Sequence, residues 1–461
     1  MYIEQLYTNC LAEAAYYIES EGEAAIIDPI RETDPYIELA ARRGATIKYI
    51  FETHFHADFI SGHIDLSKKT GAVIIYGPMA ETKYKVLNAH DGEVFSLGKL
   101  KIKALHTPGH TPESTCYLLL NENGKEHAVF TGDTLFVGDV GRPDLLDGKI
   151  SRDELANMLY DSLNNKIKTL RDEVIVYPAH GPGSACGKNI GKETFSTIGE
   201  QKKFNYALKA ATREQFVKDV TEGILPPPNY FFEDARINKD GYDSVDDVVT
   251  KNNRPLTALQ FEEAITKGAL VLDNRKADDF EKGFIPGSIN IGLNGQYAIW
   301  TGTLIDIQQP LLLVTEPGKE QESILRLARV GYENVSGYLD GGIGAWKKEM
   351  DVIRSIQPDT MQIEIEKGAE VIDVRKPGEW SVSHVKDALF VPLANMPDNL
   401  DSLNKTKPYI VHCGGGYRSM TAISLMKRNG FTNLTNVYGG FGAILNAGIA
   451  IETEEASILK F

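Results

Sequence analysis

The segment GALVLDNRKADDF at residues 268–280 returns 100 residues later as GAEVIDVRKPGEW at 368–380, placing Asp273 over Asp373 and Arg275 over Arg375. A duplication of this kind decides the fold before any single residue does, because each copy must be one packing unit. The copies match again further on, GYENVSGYLDGGIGAW at 331–346 against GFTNLTNVYGGFGAI at 430–444. Each alternates short apolar runs with helical segments, the pattern of a parallel sheet covered by helices on both faces. Two similar α/β domains are expected, over residues 250–352 and 355–461. A chain of 461 residues has room for roughly three domains, so a further one of another kind precedes them, over residues 1–240.

In that first part, four strand-like runs end in a polar cluster. IKYIFETHFHAD runs from Ile47 into His54, KIKALHTPGH from Lys101 into His110, AVFTGD from Ala128 into Asp133, and VIVYPAH from Val174 into His180. Strand ends on one edge of a sheet bring distant loops together, which makes His54, His56, Asp58, His110, Asp133 and His180 candidates for one shared site. A helix-like stretch follows around residues 194–222. Residues 224–244, ILPPPNYFFEDARINKDGYDS, lack helical periodicity and read as a surface linker.

Charge and cysteine content narrow the partners. A formal net charge of −15 repels a phosphate backbone, so nucleic acid is excluded as a partner. No apolar run is long enough to span a membrane, and MYIEQLYTNC lacks the basic flank of a secretory signal. Cys10, Cys116, Cys186 and Cys413 are too sparse for a disulfide framework, which fits a reducing cytoplasm. A homo-oligomer is compatible with these features.

The order THFHAD, HTPGH, FTGD resembles the metallo-β-lactamase superfamily, whose fold is an αββα sandwich with metal between two sheets. Members that hold two ions, such as the glyoxalase II hydrolases, place a histidine directly after the aspartate; here that residue is Phe59. A phenyl ring donates no lone pair, so one metal ion is expected. His54, His110 and Asp133 would then form a two-histidine, one-carboxylate set, which points to mononuclear non-haem Fe(II) that activates oxygen. That set resembles the persulfide dioxygenase branch of the superfamily, as does GRPDL at 141–145. By the same resemblance Arg142 and Tyr177 are expected to hold polar groups of the thiol carrier, the alternatives being a salt bridge and a core tyrosine. His56, Asp58 and His180 are expected to orient ligands or substrate rather than bind the ion.

VHCGGGYRS at 411–419 follows a strand-like run and precedes a helical one, so backbone amides converge there and favour a thiolate at Cys413. The loop resembles the active-site loop of rhodanese sulfurtransferases, and VIDVRKPGEW matches that family's earlier signature. Gly414, Gly415, Gly416, Tyr417 and Ser419 are expected to cradle the substrate sulfur, and Arg418 to add charge. Arg418 lies five residues after Cys413, one fewer than in the cysteine phosphatases and arsenate reductases. In the first copy Thr315 stands where Cys413 does, so that domain is expected to carry no sulfur covalently. Cys186, near the His180 strand end, is weighed as a sulfur relay facing the metal against a buried packing residue; Cys10 and Cys116 read as core.

Together these features imply an Fe(II) persulfide dioxygenase that oxidises a low-molecular-weight thiol persulfide with O2 to sulfite, fused to an inactive and an active rhodanese domain. Cys413 would relay sulfane sulfur between persulfide and sulfite or thiosulfate, the linkage raising the local concentration of a reactive intermediate. Two alternatives stand beside it. One is a glyoxalase II-like thioester hydrolase with an appended sulfurtransferase, which usually needs two ions; the other is a sulfur-carrying module without turnover.

Overall fold

The structure is a computed structural model that describes residues 1–146, 149–224 and 226–453. It separates into two compact units, one over Met1–Asp247 with Ala328–Gly331, the other over Val248–Leu327 and from Tyr332 onward.

The first unit is built on two six-stranded sheets. One runs, in spatial order, through Tyr2–Thr8, Glu13–Ser20, Glu23–Ile27, Thr46–Phe51, Val73–Tyr76 and Leu87–Asn88. The other runs through Ser196–Thr197, Ile175–Pro178, Glu126–Gly132, Thr115–Leu120, Leu100–His106 and Val94–Leu97. Alternate residues of facing strands meet between them. Ala14, Tyr16 and Ile18 from one sheet share a buried cluster with Ile102, Ala104, Tyr117 and Phe130 from the other. Each such side chain stabilises the sandwich by about 1.5–3 kcal/mol through removal from water. The opposite face of the second sheet, with Cys116, Leu118, Val129 and Val176, packs on Leu159, Ile198 and Phe216 of helices Arg152–Ser162, Ile198–Phe204 and Arg213–Thr221. Helices Asp34–Arg43 and His63–Thr70 lie against the first sheet, completing the expected αββα order.

Strand direction gathers the polar ends. Leu100–His106 and Glu126–Gly132 are each antiparallel to the strand between them, and Ile175–Pro178 is parallel to Glu126–Gly132. All three therefore point the same way, and His110, Asp133 and His180 leave the same edge.

Residues 224–244 correct the sequence reading: within them Tyr230–Asp240 is a helix. Its inward face carries Tyr230, Phe231, Asp234 and Asn238, half of them polar, so the apolar periodicity that marks an amphipathic helix is diluted. Cys10 is corrected too. It sits in the turn after Tyr2–Thr8 and is only partly buried, whereas Cys116 is in the core as expected.

The second unit holds two five-stranded parallel sheets of identical order. The first is Pro255–Leu256, Val335–Leu339, Leu311–Val314, Leu270–Asp273 and Ile289–Asn290; the second is Arg354–Ile356, Leu434–Val437, Tyr409–His412, Glu370–Asp373 and Leu389–Phe390. Central strands covered on both faces read as continuous apolar runs, which is why LLLV and YIVH are buried throughout. Register makes the duplication atomic. Asp273 pairs opposite Val314 and Asp373 opposite His412, so Thr315 and Cys413 are the first residues beyond equivalent strands. Among the described residues no helix is long and apolar enough to cross a membrane.

Candidate metal centre and cysteine loop

Strand Thr46–Phe51 delivers Thr53 and His54 to the sandwich edge, and hydrogen bonds fix which nitrogen of His54 is free. Thr53 donates its amide to Asp28 Oδ1 (2.8 Å) and its hydroxyl to Asp28 Oδ2 (2.9 Å). Its hydroxyl oxygen, 2.9 Å from His54 Nδ1, then accepts from that nitrogen, which leaves the lone pair on Nε2. His110 Nδ1 donates to the Arg142 carbonyl (2.8 Å), again leaving Nε2 free. Both nitrogens converge on Asp133 Oδ2, at 3.9 Å from His54 and 3.4 Å from His110. Among the described residues none of these three atoms has a hydrogen-bond partner, and all are buried.

Two nitrogen lone pairs facing a buried carboxylate repel unless a cation lies among them, so the cluster fits a metal ion. Burial, reinforced by the His56, His110 and His180 imidazoles, pushes His54 well below the ordinary histidine range and keeps it a neutral donor.

The neighbouring residues separate into a second group. His180 donates Nδ1 to the Ala12 carbonyl (3.1 Å), with Nε2 3.4 Å from Asp58 Oδ2 and 3.5 Å from Asp133 Oδ1. Burial acts to lower its pKa, but the Asp58 and Asp133 carboxylates outweigh it, and His180 titrates above its ordinary value. His56 Nε2 lies 3.1 Å from Asp28 Oδ1 and 3.7 Å from Glu52 Oε2, with its ring against the fully buried Phe59. A ligand-poor apolar ring thus occupies the position after Asp58. Cys186 is buried, and its sulfur falls within ligand range of Asp133 and His180.

Arg142 is also buried. Its guanidinium donates to Asp144 Oδ1 and Oδ2 (2.7 and 2.8 Å) and to the Ala185 carbonyl (3.1 Å), while its amide donates to the Cys186 carbonyl (3.1 Å). Arg142 therefore joins the His110 loop to the Cys186 loop. Tyr177, half-buried, stacks on Phe130 and contacts Tyr16.

Asn238 is the residue that sequence reasoning missed. Its amide nitrogen donates to the carbonyls of His56 and Phe59 (2.8 Å each), and its oxygen accepts from the Ser61 amide (2.9 Å). One side chain thus pins the loop that carries the metal motif. Asn238→Ala is expected to lower stability by about 2–4 kcal/mol, since three buried backbone groups lose their partner. Thermal unfolding should show a fall of roughly 5–10 °C, accompanied by weaker metal retention.

In the second unit, Cys413 follows strand Tyr409–His412 and precedes helix Tyr417–Arg428. Gly416, at φ +106°, turns its amide to donate to Cys413 Sγ (3.1 Å), and Ser419 Oγ lies 3.6 Å from the sulfur. Gly440 is obligatory: a Cβ there would lie 2.4 Å from the Cys413 carbonyl oxygen. Arg418 binds Glu379 with both terminal nitrogens (2.5 and 2.8 Å), and a Cβ on Gly414 would meet that guanidinium at 3.1 Å. Gly415 has open space around it. Tyr417 donates its hydroxyl to the Gly292 carbonyl of the first repeat (2.8 Å), its ring filling the space left by Gly295. Asp373 and Arg375 form a buried pair that supports the loop from below, matched by Asp273 and Arg275. Thr315, in place of the cysteine, donates its hydroxyl to the Glu316 carbonyl (2.9 Å).

The superfamily model for metallo-beta-lactamases matches residues 8–180, and the model for rhodanese-like domains matches twice, over 257–349 and 357–447. The chain belongs to the metallo-β-lactamase superfamily and carries two rhodanese-like domains. Among its relatives is the human persulfide dioxygenase ETHE1, mitochondrial, 32% identical over 209 residues that cover 45% of this chain and 74% of that one. A probable hydroxyacylglutathione hydrolase of Schizosaccharomyces pombe is 33% identical over 165 residues, 35% of this chain and 60% of the hydrolase. The crystal structure of a metallo-beta-lactamase from Staphylococcus aureus subsp. aureus COL superposes with a TM-score of 0.66 at 31% identity, covering 74% of this chain and 98% of that one.

Proposed function

We propose that the protein is a persulfide dioxygenase with a sulfurtransferase on the same chain. The observation that carries this reading is the joint presence of a buried His54, His110, Asp133 cluster, with Phe59 stacked on the neighbouring His56, and a cradled Cys413. His54 Nε2, His110 Nε2 and Asp133 would hold a single Fe(II), which supplies the redox chemistry toward O2 that zinc lacks. The overall reaction balances as RSSH + O2 + H2O → RSH + SO3²⁻ + 2H⁺. His180 Nε2 lies 3.4 Å from Asp58 Oδ2 and 3.5 Å from Asp133 Oδ1, an ion-pair arrangement at the other oxygen of Asp133 that would hold a proton beside the reacting group. The Arg142 carbonyl and Thr53 hydroxyl keep both histidine donors in one tautomer.

At the second site, the Cys413 thiolate attacks the outer sulfur of a persulfide. The S–S bond breaks, the electron pair leaves on the thiol carrier, and the resulting cysteine persulfide passes its sulfur to sulfite, giving thiosulfate. Cys186 is a candidate acceptor of sulfur near the metal, on the strength of its position beside Asp133 and His180.

Resemblance to a hydroxyacylglutathione hydrolase, together with Asp58 and His180 near Asp133, favours thioester hydrolysis as a second reading. Phe59 separates the two. Phe59→His is expected to restore a nitrogen donor and raise bound metal from one ion per chain toward two, measured by elemental analysis, while oxygen uptake with a thiol persulfide falls. Thioester turnover in the unsubstituted protein without oxygen uptake would decide for the hydrolase.

A further inference from the structure

The Cys413 loop contains a charge arrangement that sulfur transfer alone does not require. Arg418, the only side-chain cation within the CGGGYRS turn, is held by the Glu379 carboxylate through both terminal nitrogens. Glu379 belongs to the short helix Pro377–Val382, where its Oε2 also accepts from the Lys376 amide (3.0 Å). The Glu379 side chain is 39% exposed against 18% for Arg418, so the carboxylate lies on the solvent side of the pair. Burial acts to raise its pKa, but the Arg418 bonds outweigh this and hold Glu379 below the ordinary carboxylate range, hence ionised at neutral pH. An anion arriving at Cys413 meets the Gly416 amide and a guanidinium that also faces the sulfur but whose two terminal nitrogens are already engaged by Glu379.

The duplicated copy shows that this couple goes with the cysteine. With Thr315 equivalent to Cys413, Glu320 occupies the Arg418 position, and Asp279 lies 100 residues before Glu379. Asp279 binds Lys282 at the surface instead. The sheet, the buried Asp–Arg pair and the loop's approach are common to both copies, whereas the carboxylate–guanidinium couple is confined to the copy with a nucleophile.

We propose that Glu379 sets the substrate preference of Cys413 by occupying the Arg418 fork that a sulfur oxyanion would otherwise bind. Thiosulfate and sulfite must enter against a fixed negative charge. A thiol persulfide is attacked at its outer sulfur and has no oxyanion head to place in the Arg418 fork, so it does not compete with Glu379 for it. Sulfite is then taken only at high local concentration, which suits an oxyanion made on the same chain; this rests on the sulfurtransferase reading above. The chemistry is unaltered: the thiolate attacks, the S–S bond breaks, and the electron pair departs on the carrier or on sulfite.

The test uses the full-length, metal-loaded protein and Glu379→Gln, which keeps the shape and the acceptor for the Lys376 amide but removes the charge. We expect the KM for thiosulfate and for sulfite to fall about tenfold in the variant, with kcat/KM for a thiol persulfide unchanged within about twofold. A second readout needs no turnover. Iodoacetate and iodoacetamide are compared for their rates at Cys413, followed by mass spectrometry of its peptide. Glu379→Gln should raise the iodoacetate-to-iodoacetamide ratio about tenfold, and Glu379→Asp should restore the original ratio. An unchanged ratio, or a higher KM for thiosulfate in Glu379→Gln, overturns the proposal, because Glu379 would then serve to aim Arg418 at the anion. Absence of sulfur transfer in the unsubstituted protein refutes the enzymatic reading, while the alkylation ratio still decides the role of Glu379.

Discussion

Asp133→Ala is expected to lower oxygen consumption with a thiol persulfide by about a thousandfold and to strip the chain of iron. The size follows from what Asp133 does. Its Oδ2 is the point on which His54 Nε2 and His110 Nε2 converge, so the variant removes the anionic donor and leaves two neutral imidazoles. Loss of several kcal/mol of charge stabilisation at such a centre corresponds to about three powers of ten in rate. Folding should survive, because the Asp133 side-chain oxygens have no hydrogen-bond partner in the protein among the described residues. Near-native thermal unfolding combined with lost iron and lost oxygen uptake is the expected pattern. Retained uptake would remove Asp133 from the metal set.

Cys413→Ser should separate the two activities. Sulfur transfer from persulfide to sulfite falls to background, since a serine hydroxyl cannot form the S–S bond that carries the transferred sulfur. Oxygen uptake continues and the product shifts from thiosulfate to sulfite, both quantified in the same reaction. Loss of oxygen uptake in Cys413→Ser would refute independent sites. Cys186→Ser belongs in the same assay: a changed sulfite-to-thiosulfate ratio supports a relay beside the metal, and an unchanged ratio with unchanged uptake assigns Cys186 to packing.

The architecture was legible because it is written in repeats and strand ends. The 100-residue offset gave both parallel sheets, and the register of Asp273 with Val314 and Asp373 with His412 reproduces the alignment of Thr315 with Cys413. The gathering of His54, His110 and Asp133 was legible for a related reason: each stands just past an apolar strand-like run on the same edge of the sandwich. Asn238 was hidden because its helix turns a half-polar face inward, so hydropathy carries no period there. The partners of Arg142 and Arg418 were hidden as well. Whether a guanidinium meets substrate or a carboxylate depends on three-dimensional neighbours such as Asp144 and Glu379 that spacing does not reveal. Arg418 alone had a signal in the sequence, the reversal of charge from Glu320 between the copies; its partner Glu379 had none, since Asp279 is acidic at the matching position.

The central claim is a single redox-active ion held by two imidazoles and one carboxylate, with Phe59 closing off a second. Elemental analysis of the protein purified from its natural host, alongside oxygen uptake, tests it most directly. One iron per chain and oxygen consumption that scales with iron content are predicted. Two zinc ions per chain in active protein would contradict the account.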